Sequence, residues 1–149
     1  MLALLAVVQG AALQQPEVWE PRFSWGCVVS SGKKPLVVNG VIAQRNQPDL
    51  ANKHARFERA LRIVRDDTGL FSGQQARWPA FVIHSRQYWA FFKGADGKTF
   101  GPEGRSIILN KDKAGRPLTI ELYDRGGATA KPFARGDCIS RVLSPEIAQ

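Results

Sequence analysis

Short apolar segments separated by turn-forming residues restrict the fold of this chain more than any other feature. Residues 27–30 and 36–41 are rich in β-branched side chains and flank the turn-forming stretch at 31–35, which predicts a β-hairpin. Further short segments predict strands at residues 81–84, 88–93, 106–109, 118–123 and 138–143. Glycine and aspartate at 94–98 and 110–115 supply tight turns between them. Antiparallel strands should therefore dominate the fold.

One segment between the hairpin and the later strands has helical spacing instead. Its apolar face recurs every three or four residues, at Leu50, His54, Phe57, Leu61 and Val64. Pro48 and Asp49 suit a first helical turn, and Thr68 with Gly69 ends the pattern. The sequence thus predicts an α+β fold, in which an N-terminal β-hairpin and one helix pack with a four- to five-stranded antiparallel sheet. We interpret His54 as a core histidine.

The length of the chain and its first residues predict a single secreted domain. With 149 residues and 44% hydrophobic content, the chain can bury one ordinary core, which we assign to residues 16–149. The first 12 residues carry no charge, contain an apolar run at 2–8 and end in small residues. Residues 1–15 are therefore interpreted as a signal peptide that lacks the usual basic start, the alternative being that they belong to the fold. No other stretch approaches the ~18 apolar residues of a membrane span, so no membrane partner is expected.

Two cysteines near the ends of the expected domain predict a disulfide. Cys27 and Cys138 would pair in an oxidising compartment, and the bridge would close a loop of roughly 100 residues. If the chain is not secreted, two unrelated buried thiols are the simpler interpretation. The sequence has no CxxC motif and no cluster of cysteine with histidine, so neither a metal site nor a cofactor is expected.

A strong positive charge makes polyanions candidate partners. The chain has 21 Lys and Arg against 13 Asp and Glu, a formal net charge of +8. Such a charge attracts nucleic acids and acidic surfaces over long range. It also keeps a secreted protein soluble, so the charge alone does not select between these roles.

Several short motifs resemble one family of proteins. Trp25-Gly26-Cys27 is similar to the aromatic-x-Cys start of the secreted ribonuclease-like effectors of plant-pathogenic fungi, relatives of the fungal guanyl-type ribonucleases. Trp78-Pro79-Ala80 resembles the Tyr-Pro-x start of the family's first strand after the helix. Residues 104–110, 118–123 and 136–138 resemble its last strands and chain end. The resemblance spans roughly residues 25–142 and implies the α+β ribonuclease fold, with Cys138 as the partner of Cys27.

The same resemblance implies that the catalytic groups of the family are largely replaced. The family's first histidine falls on Ala80, its glutamate falls near Ala90, and its last histidine falls around Leu122 or Tyr123. Only the arginine is matched, by Arg105. Alanine cannot transfer a proton, and a ribonuclease of this type needs both a general base and a general acid. We therefore predict no catalytic residues.

The function expected from the sequence is a secreted, catalytically inactive ribonuclease-like effector. Its expected partners are host RNA or host proteins, and a plant immune receptor is a further candidate. The protein is expected to be monomeric and able to enter host cells. If it binds RNA, the expected surface combines Arg105, Trp78, Tyr123 and Arg125. Two alternatives stay open: an active secreted endoribonuclease that uses His84 as base beside Arg105, with Glu121 or Tyr123 nearby, and an unrelated secreted bacterial binding or inhibitor protein.

Overall fold

The computed structural model describes residues 19–32, 34–45, 58–71, 73–77, 80–126 and 130–144, and these form one antiparallel sheet. A 3-10 turn lies at Gly101–Glu103. The nine strands are β1 (Trp19–Ser30), β2 (Pro35–Arg45), β3 (Arg59–Asp66), β4 (Gln75–Arg77), β5 (Phe81–Ile83), β6 (Gln87–Phe92), β7 (Arg105–Lys111), β8 (Pro117–Tyr123) and β9 (Ala134–Val142). Within the described part of the chain, no helix is long and apolar enough to cross a membrane.

The sheet consists of two meanders that join through the first and last strands. Its strand order is β4-β3-β2-β1-β9-β8-β7-β6-β5, so β1 pairs with β9 in the middle of the sheet. The two edges of the sheet also meet, because β4 contacts β6 and β3 contacts β5. The sheet therefore curls on itself into a nearly closed barrel, in which alternate residues of each strand face the interior.

Large apolar side chains fill the interior of the barrel. In β6 the alternating residues Tyr88, Ala90 and Phe92 are buried, whereas the residues between them are half exposed. Aromatic rings contact each other across this core, with ring centroids 5.1 Å apart for Phe71 and Phe92 and 5.6 Å apart for Phe81 and Tyr88. The interior is a packed core, and binding sites must be sought on the outside and at the ends of the barrel.

The predicted disulfide is confirmed. Cys27 and Cys138 are direct cross-strand partners in the pairing of β1 with β9, with their Cα atoms 4.0 Å apart. The bridge therefore links the two meanders where they meet in the middle of the sheet. It connects positions 111 residues apart in sequence.

The α+β prediction is wrong, because the second half of the predicted helix is strand β3. Arg59–Asp66 pairs with β2 on one side and β4 on the other. Leu61 and Ile63 face the core, while Arg62 and Val64 are exposed, which is the two-residue period of a strand. The first half of the predicted helix, including His54, lies outside the described residues. Because this segment is a strand of a nine-stranded antiparallel sheet, the predicted ribonuclease-like architecture is wrong as well.

The strands predicted outside the helix are confirmed. The hairpin is formed by β1 and β2, which pair from Ser30 with Pro35 to Trp19 with Arg45. The five later segments correspond to β5 through β9, with ends that shift by at most four residues. Beyond the helix, the short strand β4 is the element that the sequence pattern did not predict.

Candidate nucleic-acid interface

The connection from β8 to β9 builds an exposed basic surface at the end of the barrel that carries the β1–β2 turn, here called the hairpin end. The chain leaves β8 through Asp124, Arg125 and Gly126, and Gly126 has a φ of +73°, which favours glycine at this turn. It returns at Phe133, whose backbone N–H donates to the Leu122 carbonyl at 2.7 Å. The next residue, Ala134, faces the core, so strand alternation turns the Phe133 ring outward.

Two grooves meet at Phe133. One, of about 310 Å³, is lined by Asp124, Arg125, Ala130, Lys131 and Phe133. The other, of about 360 Å³, extends from Lys131 and Phe133 to Arg135 and to the end of β1 at residues 30–32. Phe133 itself is 41% exposed. Phe133 and Lys131 thus form a wall that both grooves share.

Three exposed cations lie on this surface, and one of them, Arg135, is the cross-strand partner of Glu121. Arg125, Lys131 and Arg135 are exposed, and none of them forms an ion pair with the described residues. The one acid that lines the first groove, Asp124, accepts a charge-assisted hydrogen bond from Arg105 Nε at 2.9 Å. We call Arg125, Lys131, Phe133 and Arg135 the basic–aromatic surface.

Arg105, the first of the predicted RNA-binding residues, lies beside this surface and is already engaged. Besides the ion pair with Asp124, its Nη1 donates to the Leu70 carbonyl at 3.3 Å. These contacts hold the β3–β4 loop and the start of the β8–β9 connection against β7. The structure therefore gives Arg105 a positioning role, and the arginine neutralises Asp124 at the edge of the groove.

Tyr123 and Arg125 lie in the same corner of the barrel but differ in access. Tyr123 is only 4% exposed, and its hydroxyl donates to Glu121 Oε2 at 3.3 Å. Burial raises the pKa of the Tyr123 phenol, and the negative charge of Glu121 raises it further. A buried ring of this kind offers no face for stacking, whereas Arg125 is exposed and lines the first groove. Trp78, the remaining predicted residue, lies outside the described residues.

A third groove nearby has the opposite electrostatic character. It lies between β8 and β9, has a volume of about 370 Å³, and is lined by Glu121, Arg135 and Asp137 among others. Two carboxylates against one guanidinium make it unfavourable for a polyanion. Of these three grooves, the two beside Phe133 are therefore better suited to phosphate.

His84 lies far from Arg105, its partner in the alternative ribonuclease site. His84 follows β5 and its backbone N–H donates to the Gln87 carbonyl, at the start of β6. Arg105 pairs with Phe92, at the opposite end of β6. The Gln87 end and the Phe92 end of β6 are five residues apart, which is roughly 16 Å along the strand. This distance is too large for the His84 and Arg105 side chains to contact one phosphate. Ala90 is buried in the barrel, so Ala80, Ala90 and Arg105 do not line a common cleft.

Sequence reasoning missed three of the four residues of the basic–aromatic surface: Lys131, Phe133 and Arg135. A signal was available, because residues 124–136 combine several glycines with cations that alternate with an aromatic residue. Which of these side chains point outward depends on where β9 begins, and the sequence placed that start at residue 138 rather than at Ala134. Among the described residues, no group of three or more His, Cys, Asp or Glu side chains is placed to hold a metal ion.

Comparisons of this chain with family models, with curated proteins and with solved structures give no significant match. The functional argument therefore depends on the geometry and charge of the site.

Proposed function

We propose that this protein is a binding protein for single-stranded nucleic acid, which it contacts through the basic–aromatic surface. The observation that carries the proposal is the exposed ring of Phe133 between two grooves that are lined by cations without an ion pair to the described residues. Proteins that bind single strands with little sequence preference combine these two elements, an aromatic platform for a base and cations for the phosphates.

The arrangement matches the chemistry of such a ligand in two ways. A base that stacks on an exposed aromatic ring contributes about 1 to 3 kcal/mol. Arg125 lines one groove, Arg135 lines the other, and Lys131 lines both, so cations are available on each side of a stacked base. Each phosphate contact releases counterions from the nucleic acid, which makes the affinity depend strongly on salt.

Two properties of the whole chain support the proposal. The net charge of +8 favours association with any polyanion over long range. The disulfide supports a secreted protein, because such bridges persist in oxidising compartments. RNA is the ligand expected from the sequence, and secretion and host partners remain predictions.

The test is a fluorescence anisotropy titration of a labelled single-stranded RNA at several salt concentrations, with the single-stranded DNA of the same sequence in parallel. Phe133→Ala should weaken binding about 5- to 150-fold, the equivalent of one lost base stack. Lys131→Ala should weaken binding and lower the slope of log affinity against log salt by roughly one phosphate contact.

Two control variants remove similar groups elsewhere on the surface. Phe100 is 51% exposed in the β6–β7 connection, and Lys113 is exposed in the β7–β8 turn at the opposite end of the barrel. Phe100→Ala and Lys113→Ala should bind like the wild type. If RNA and DNA both fail to bind at low salt, or if Phe133→Ala binds as well as Phe100→Ala, the proposal is wrong and protein partners become the better explanation.

A further inference from the structure

The outer face of β9, β1 and β2 carries an exposed apolar surface that the proposed function does not use. Ile139 is 85% exposed in the middle of β9, and Val28 on β1 is also exposed. Gly26, the cross-strand neighbour of Ile139, leaves a depression because a side chain is missing there. The depression is part of a groove with a volume of about 500 Å³, which extends to Val41 and Val64.

The strand register arranges this face in three rows. The central row contains Ile139, Gly26 and Asn39. One flanking row contains Asp137, Val28 and Val37, and the other contains Arg141, Ser24 and Val41. All nine residues point outward, because they alternate with the core-facing residues of the same strands. We call these nine residues the three-row face.

We propose that two copies of this chain associate through the three-row face, around a two-fold axis that follows the central row. A two-fold axis brings the same surface of both copies together, so a suitable face must be complementary to itself. Rotation about the central row places each residue of one flanking row opposite the corresponding residue of the other flanking row.

Charge complementarity is the observation that selects a second copy as the partner. Asp137 and Arg141 lie two residues before and after Ile139, and neither forms an ion pair with the described residues of its own chain. The rotation places Asp137 opposite Arg141 of the second copy, and Arg141 opposite Asp137 of the second copy. One operation therefore pairs all four of these charges.

Among the remaining positions, Val28 faces Ser24 of the second copy, and the other positions are matched by this axis. Val37 faces Val41 of the second copy, and the Asn39 amides of the two copies face each other and can exchange hydrogen bonds. The two Ile139 side chains meet on the axis, where the depressions over the Gly26 residues provide room for them. A two-fold axis parallel to the strands would place each residue opposite a residue of the same row in the second copy. Asp137 and Arg141 lie in different rows, so that axis would pair no charges.

The size of the face predicts a weak dimer. The three-row face covers five positions on each of three strands, which at about 3.3 Å per residue and 4.8 Å between strands is roughly 250 Å² per copy. This is below the ~800 Å² per partner of a standard stable interface, so association should appear only at high protein concentration. The amino-acid sequence, in contrast, predicts a monomer.

The test is sedimentation velocity of the full chain over a wide range of concentration. The wild type should change from monomer to dimer as the concentration rises. Ile139→Glu should raise the dissociation constant about tenfold or more, because it places two carboxylates in contact on the axis. Ile139 is exposed in the monomer, so this substitution leaves the core intact. Phe100→Glu, at an exposed apolar residue outside the face, should dimerise like the wild type.

Charge reversal tests the axis itself. Asp137→Arg and Arg141→Asp should each raise the dissociation constant about 3- to 30-fold, since each converts two attractive contacts of the dimer into repulsive ones. The double variant D137R/R141D should restore the dissociation constant towards that of the wild type. A monomer at every concentration, or a dimer that Ile139→Glu does not weaken, overturns the proposal. A double variant that is no better than the single ones overturns the proposed axis.

Discussion

At the scale of single residues, Gly26 and Gly40 show how one residue type has different roles on the two sides of the sheet. Gly40 faces the core, where a Cβ atom would lie 2.2 Å from the Arg62 carbonyl oxygen and 2.8 Å from the Trp25 ring. The indole of Trp25, only 2% exposed, packs in the space that this glycine leaves. Gly26 faces outward, where a Cβ atom would meet only Asn39 Cβ at 3.7 Å, an ordinary contact.

Gly40→Ala should therefore destabilise the protein by about 1 to 3 kcal/mol, the usual cost of overpacking a core. The reason is that the Arg62 carbonyl and the Trp25 ring must both move to make room for the new Cβ atom. Gly26→Ala should change the free energy of unfolding by less than about 0.5 kcal/mol, as expected for a surface substitution without clashes. Urea denaturation at low protein concentration measures both. Equal stability of the two variants would mean that Trp25 does not pack over Gly40.

The predicted RNA-binding residues differ in where the structure places them. Arg125 was expected to bind RNA and lies in the first groove. Arg105 was singled out equally, but it is paired with Asp124, and no local pattern links two residues that are 19 positions apart. Phe133 was missed for a related reason. Its exposure depends on the register of β8 with β9, which the chain sets through long-range pairing.

At the scale of elements, the largest error concerned β3. Residues 57, 61 and 64 repeat at helical spacing, while Leu61 and Ile63 alternate with Arg62 and Val64 as in a strand. Local propensity does not choose between these periods, because tertiary pairing overrides it. Here β2 and β4 pair with the segment on both sides, and this supplies its hydrogen bonds. The later strands were predictable because turns bound each of them closely.

A pair of threonine substitutions distinguishes the two periods in solution. In the strand, Ile63 is 6% exposed and Val64 is 64% exposed, whereas the predicted helix places Val64 on its core face. Ile63→Thr should cost about 2 to 4 kcal/mol, through lost apolar contacts and a buried hydroxyl. Val64→Thr should remain within about 0.5 kcal/mol of the wild type. Thermal or urea unfolding gives both values, and the reverse order would support the helix.

At the scale of the whole molecule, the pairing of β1 with β9 holds the two meanders together. Each meander is built from strands that are neighbours in sequence, so its contacts are local. The β1–β9 pairing is the long-range contact that joins the meanders in the middle of the sheet, and the Cys27–Cys138 bridge lies within it. The stability of the barrel should therefore depend on this bridge more than on any single strand turn.

Replacing both cysteines with alanine should lower the free energy of unfolding by about 2 to 5 kcal/mol, since the unfolded chain regains the freedom that the long loop had lost. Equilibrium unfolding in urea tests this, and reduction of the wild type should reproduce most of the loss. Thiol labelling of the unreduced, denatured wild type should find no free cysteine. Two labelled thiols would show that the bridge is absent from the purified protein.

The position of β9 beside β1 also governs the order in which the barrel can be completed during synthesis. Cys27 leaves the ribosome 111 residues before Cys138, which at about 5 to 20 residues per second is an interval of roughly 5 to 20 s. Throughout this interval β1 can pair with β2 but has an open edge on its other side, and open edges attract strands of other chains. The native bridge can form only when β9 has covered that edge. The oxidation state of Cys27 thus reports whether a newly made chain has passed the stage at which it is most prone to aggregate.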